Sequence, residues 1–207
     1  ANDPVATLRY KDLAEADTAR LQLTLQYVAD TYRAQGDTIG YVSTLEKGFD
    51  KNPVSEYFFT HLFDYRFQRG DTTQALTLCD RSLAINAKSK VAMLAKSAVL
   101  LTMQHYDKCV QLCDAIIALD DSLADAYLNA GLAYFNQAVK IDNAPKHTRA
   151  ERAKMLEFYR NSLKYMQTYR KLAPTRKDLW AMPLYTIYLN LNMGKEFVEM
   201  DAIIKSL

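Results

Sequence analysis

"YRAQGD" spans residues 32–37 and "RFQRGD" spans residues 66–71, so one polar turn recurs with Gly36 and Gly70 34 residues apart. The chain has 207 residues and only 6 glycines, and Asp37 and Asp71 follow the same interval. A fixed period of this length marks an array of small units, each burying its apolar face against the next. Stepping by the same interval starts further units at Glu56, Lys90 and Ala124. In the first unit Leu25, Val28, Ala29 and Tyr32 sit at i, i+3, i+4 and i+7, one face of a helix over about 22–35. Tyr41, Leu45 and Phe49 mark its partner helix over about 38–49. Asn52-Pro53 ends that helix, because proline has no N–H to give and disfavours helical torsions in the residue before it.

The later units repeat this pattern. Phe59, Leu62 and Phe63 precede Gly70-Asp71, and Ala75, Cys79 and Leu83 follow it. Met93 and Leu100 lead to Cys109, Cys113 and Ile116, and Tyr127, Ala130, Gly131 and Tyr134 open a fourth unit. Trp180, Leu184 and Ile187 open a fifth, with Gly194 at its turn. This order of large, small and aromatic positions, closed by proline, resembles the tetratricopeptide repeat over about residues 22–207. The stretch "KLAPTRKDLWAMPLYTIYLNLNMGKEF" is similar to tetratricopeptide proteins of Bacteroidetes-type bacteria. That resemblance leans toward a bacterial envelope location, with the cytoplasm as the alternative.

The resemblance implies an all-α fold, an α-α superhelix or solenoid of about five helical pairs. The expected divisions are a leading helix over 1–21, the remnant of an earlier repeat, then repeats at 22–55, 56–89, 90–123, 124–176 and 177–207. The fourth repeat carries a 19-residue insertion that elongates both of its helices. Its first helix is expected from Ala124 to about Ile141, and its second from Thr148 to Leu172. Thr148 with Glu151 three residues on is a capping-box pattern. Val139, Ile141, Ala153 and Leu156 are the expected apolar seam between the extensions. Pro183, near the start of its helix, predicts a kink and no break. Four positions depart from the pattern: Lys96-Ser97 in an apolar-small pair, Phe63 and Tyr41 in small columns, and Arg66 in an aromatic one.

Charge is unevenly placed. Residues 1–139 carry 13 basic and 17 acidic side chains, residues 140–177 carry 11 and 3, and residues 178–207 carry 2 and 4. The net charge of +2 therefore hides one strongly basic segment. The cationic residues there are not regularly interleaved with aromatics, which argues against nucleic acid as the partner. No apolar run of 18 residues exists, so no membrane span is expected. Three cysteines cannot form a complete disulfide framework and read as free thiols.

No phosphate loop, dinucleotide fingerprint, nucleophile elbow or metalloprotease motif occurs, and no enzymatic chemistry or cofactor is expected. Asp120-Asp121 fall at an inter-unit turn, where aspartate bonds backbone N–H groups. His105, Cys109 and Cys113 at i, i+4 and i+8 could write a metal site. The two cysteines, however, occupy columns that the repeat fills with small core residues, so core packing is the preferred reading and no metal is expected.

The function follows from the fold. Stacked helical pairs make an extended concave groove, lined in this family by the first helix of each pair. The resemblance carries that lining onto Tyr27, Asp30, Tyr57, His61, Asp64, Phe67, Asn129, Phe135 and Tyr185. The Lys, Arg and Asn clamp with which some members hold a terminal carboxylate is missing, since Gln26, Asp30, His61, Val91 and Ala95 stand in its places. The expected occupant is therefore a protein or peptide segment of apolar to basic character. Arg149, Arg152, Arg160, Lys164 and Lys171 form a secondary basic face for an acidic partner or a second copy. The rival reading is a structural segment of a larger solenoid or oligomer with no dedicated peptide ligand.

Overall fold

The computed structural model describes residues 18–206. The leading helix expected over 1–21 falls almost entirely outside them. The described residues form ten helices and no strand: α1 (Thr18–Gln35), α2 (Thr38–Lys51), α3 (Glu56–Gln68), α4 (Thr72–Ile85), α5 (Lys90–Thr102), α6 (Tyr106–Leu119), α7 (Ala124–Asp142), α8 (Arg149–Leu172), α9 (Lys177–Asn190) and α10 (Gly194–Lys205). They fall into two compact units, divided between Ala95 and Lys96 inside α5.

In the first unit α1 packs on α2, α2 on α3 and α3 on α4. Leu21, Leu25, Val28 and Ala29 form the buried stripe of α1, at the i, i+4, i+7, i+8 spacing of an amphipathic helix. Leu45 and Phe49 answer from α2, and Phe58, Phe59 and Leu62 from α3. Gly48 lets α2 and α3 approach closely, because a Cβ there would come within 2.3 Å of the buried Phe58 ring. Two departures from the repeat pattern find their reasons here. Phe63 is the middle ring of a stack, 5.9 Å from Phe59 and 5.2 Å from Phe67. Arg66 pairs with Glu46 and, at 3.4 Å, with Asp71, so a cation replaces an aromatic by gaining two carboxylates.

The turns inside the pairs share one geometry. The Gly36 N–H donates to the Arg33 carbonyl at 3.1 Å, and the Asp37 N–H reaches back to the Tyr32 carbonyl at 3.0 Å. The Gly70-Asp71, Gln104-His105 and Asn192-Met193 turns repeat both bonds. This is a Schellman ending, which needs one residue in the left-handed region. That residue is Gly36 (φ 74), Gly70 (φ 76), Gln104 (φ 59) and Asn192 (φ 56) in turn. The expectation that Gly194 makes the last turn is corrected: Gly194 is the first residue of α10. Asparagine takes its place because its short amide tolerates that region best after glycine. Asp37 and Asp71 then cap α2 and α4, accepting from the Gly40 and Gln74 N–H groups.

In the second unit each helix from α6 to α10 packs on the next, and α9 also touches α7. The fourth pair is elongated, with 19 residues in α7 and 24 in α8. The capping box at Thr148 and Glu151 is present in both directions, which starts α8 where the residue pattern expects it. The apolar seam is not the expected one. Ala153 is exposed, and the buried contacts are Ala138, Met155 and Tyr159. The reason is register: Met155, Tyr159, Ser162, Met166 and Tyr169 form one helical stripe, and Ala153 lies off it. Leu156, Val139 and Ile141 border that core half-buried. Helix α9 continues through Pro183, whose side chain is buried.

Leu25, Phe59, Met93 and Trp180 are buried as their columns require, whereas Tyr127 is only half-buried. Ser97 is fully buried and solves its polarity locally. Its hydroxyl accepts from the Asn129 amide at 2.8 Å, and its carbonyl accepts from the Cys109 thiol at 3.3 Å. Cys79, Cys109 and Cys113 are free and buried.

Candidate functional site

Within the first unit, α1 and α3 bring six of the expected groove residues together. The Tyr57 hydroxyl donates to Asp30 Oδ1 at 2.8 Å, which ties α3 to α1 across 27 residues of chain. Arg33 pairs with the same carboxylate at 3.0 Å. The Tyr57 ring lies 4.4 Å from the His61 imidazole, so one half-buried aromatic surface follows α3. Phe67 continues it one end of the stack further on, also half-buried. Tyr27 is 48% exposed, and Asp64 is exposed. The face therefore combines rings held by neighbours with a free phenol and a free carboxylate.

The expected groove residues of the second unit are placed differently. Asn129 is committed to buried Ser97. Phe135 packs edge-on against Tyr159 at 6.1 Å, and Tyr185 packs on Phe197 at 4.7 Å. All three side chains are half-buried and serve contacts between helices. Arg149, Arg152, Arg160, Lys164 and Lys171 are all exposed on α8. Their i, i+3, i+11, i+15 and i+22 positions hold them near one stripe, about 33 Å long at ~1.5 Å per residue. Beside Arg160 an open apolar depression of about 400 Å³ is lined by Leu156, Leu163, Leu191 and Met193.

His105 is exposed at the N-cap of α6, while Cys109 and Cys113 are buried. The hydrogen bond between the two thiols and then burial push the Cys109 thiol upward, so it stays protonated. Among the described residues, no group of three His, Cys, Asp or Glu side chains is placed to hold a metal ion. No described helix is long and apolar enough to cross a membrane.

Three tyrosines share one electrostatic device. Tyr57, Tyr159 and Tyr165 donate to the carboxylates of Asp30, Asp142 and Asp114. Burial first, and the adjacent carboxylate second, raise each phenol well above its ordinary value near 10. A folded pKa above the unfolded one favours the protonated native state. Its contribution is complete below the unfolded pKa and is lost as pH rises toward the folded value. Urea midpoints should therefore fall steadily above about pH 10, and the triple phenylalanine variant should flatten that slope. A slope unchanged by the three substitutions would refute the assignment.

Solved structures share this architecture. A double mutant of MamA RS-1 superposes with a TM-score of 0.68 at 18% identity, covering 92% of this chain and 94% of its own. A MamA piece from Desulfovibrio magneticus RS-1, residue 41 to the end, gives 0.64 at 19% identity, covering 92% and 97%. The human IFIT1 dimer with m7Gppp-AAAA gives 0.66 at 15% identity, covering 98% of this chain and 46% of the IFIT1 chain. The chain thus spans less than half the length of IFIT1. MamA and IFIT1 are tetratricopeptide-repeat proteins, and the likeness shows the fold: this chain is an all-α helical-repeat solenoid of the tetratricopeptide type. No protein-family model matches the chain, and neither does any curated protein.

Proposed function

We propose that this chain is a non-catalytic interaction scaffold, and that the α1–α3 face of its first unit holds a protein or peptide segment of apolar to basic character. The observation that carries this reading is the Tyr57–Asp30 bond, which fixes an aromatic surface beside the exposed Tyr27 and Asp64. Fixed rings lose little entropy on binding, and the free carboxylate of Asp64 selects a cation. Tyr27 and Asp64 are the residues to test, since neither is buried. Their double alanine variant should capture the native partner about 30-fold less well, the equivalent of ~2 kcal/mol, with thermal stability unchanged. Equal capture by the variant would refute the reading and favour the purely structural role. Asn129, Phe135 and Tyr185 belong to the second unit and serve its packing.

A second reading rests on the α8 stripe. Five exposed cations beside an apolar depression suit an acidic partner, drawn in by long-range attraction. Nucleic acid is the other occupant of that face, and the complex of IFIT1 with m7Gppp-AAAA makes it a necessary arm of the test. Charge reversal at Arg160 and Lys164 should weaken binding and reduce its salt dependence. An acidic protein and a short RNA measured in parallel separate the two occupants. Unchanged affinity and salt slope for both would remove any role for the stripe.

A further inference from the structure

The α5–α6 turn, the C-terminal half of α7 and the first turns of α8 border an open depression of about 270 Å³. Gln104 and Tyr106 line it from the turn, Gln137 and Lys140 from α7, and Lys154 and Phe158 from α8. A second space of about 280 Å³ adjoins it and shares Gln104, Tyr106 and Gln137. We propose that this depression is a binding site for a small organic anion, a carboxylate or phosphate carried on an apolar or aromatic body.

Four observations converge on that chemistry. The Gln137 Nε2 atom is buried and has no hydrogen-bond partner among the described residues. A buried donor without an acceptor costs about 1–3 kcal/mol, so a ligand that supplies an acceptor recovers that energy. Lys140 and Lys154 are both exposed at the rim, and neither is ion-paired among the described residues. Including the adjoining space, the charged walls are three lysines (Lys108, Lys140 and Lys154) against Asp107, so the site is electropositive. The Lys154 ammonium stands 5.4 Å over the Phe158 ring, which leaves a flat apolar wall beside a cation. An unsatisfied buried amide is a feature that calls for a partner. The combined space suits a molecule with one ring and one charged group rather than a nucleotide or a folded partner.

The test uses two-dimensional NMR of the full chain with four probes: phenyl phosphate, 3-phenylpropionate, inorganic phosphate and benzyl alcohol. Each is titrated to about 10 mM, where even a site of about 1 mM affinity saturates. Saturable shifts of the Gln137 side-chain amide and the Phe158 ring are expected with phenyl phosphate, with 3-phenylpropionate, or with both. Which of the two binds more tightly assigns the charged group. The exposed-site variant Lys140→Gln with Lys154→Gln should weaken the binding at least tenfold and fold normally. Gln137→Leu should also weaken it while leaving the Tm no lower than in the native chain, because it removes the orphaned donor. The proposal is overturned if neither aromatic anion shifts these resonances. It is equally overturned if inorganic phosphate or benzyl alcohol binds as tightly, or if the double lysine variant binds unchanged.

Discussion

Tyr159→Ala is expected to destabilise the second unit by about 3–5 kcal/mol, the usual loss for removing a buried aromatic ring. The side chain is fully buried, although it stands in the first half of an elongated helix. Its ring packs edge-on against Phe135 at 6.1 Å, and its hydroxyl donates to Asp142 Oδ2 at 3.1 Å. Met155 and Met166 lie above and below it on the same stripe of α8. Truncation leaves a cavity between α7 and α8 that those neighbours cannot fill, because their own rotamers are set by the stripe. Tyr159→Phe keeps the ring and should lose only about 1 kcal/mol, the worth of one hydrogen bond. Urea denaturation of the two variants separates ring from hydroxyl. A loss below about 1 kcal/mol for the alanine variant would mean that the extension contributes little to the folded state.

Trp180→Ala is expected to produce a comparable loss, about 3–5 kcal/mol, at the other end of α8. Trp180 is 2% exposed near the start of α9. Its indole N–H donates to the Ala173 carbonyl at 3.2 Å, bridging the end of α8 to the next pair. The Arg170 guanidinium lies 4.9 Å from the ring centroid and pairs with Glu199 at 2.6 Å. Trp180 and Arg170 together therefore join α8, α9 and α10. Trp180→Phe should cost less but leave the Ala173 carbonyl without this donor. Because Trp180 is the single tryptophan, native emission should be blue-shifted and should report unfolding of the second unit alone. Emission like that of an exposed indole in the native protein would refute the packing described.

The helical architecture was legible because its information is local. Apolar residues at i, i+3, i+4 and i+7 write each buried stripe, proline and glycine punctuate the pairs, and Thr148 with Glu151 writes the start of α8. Ser97 and Arg66 looked like faults in the pattern. Their explanations lie far away in sequence: Asn129 bonds Ser97 from 32 residues on, and Glu46 meets Arg66 from 20 residues back. No local rule contains such partners. The candidate surface divided in the same way. Tyr57 and Asp30 share a face by periodicity, but only the folded chain puts the phenol on the carboxylate. Gln104, Gln137, Lys140 and Lys154 carried no signal beyond the basic segment, because only the packing of three elements brings them to one depression.

The four shared turns draw the boundary most clearly. Glycine at 36 and 70 announces a left-handed residue, since it adopts that region without strain, and the 34-residue interval alone determined an array of helical pairs. Gln104 and Asn192 take the same conformation without announcing it. Asparagine tolerates it, but at Gln104 packing of the flanking helices imposes it, at a cost of about 1–2 kcal/mol that only the contacts of the folded chain can offset. The sequence by itself thus determined the helices, their pairing and the elongation of the fourth pair. The tertiary structure decided which turn is strained, which of the expected groove residues are exposed and which are spent on packing, because those depend on contacts between residues that no short-range period connects.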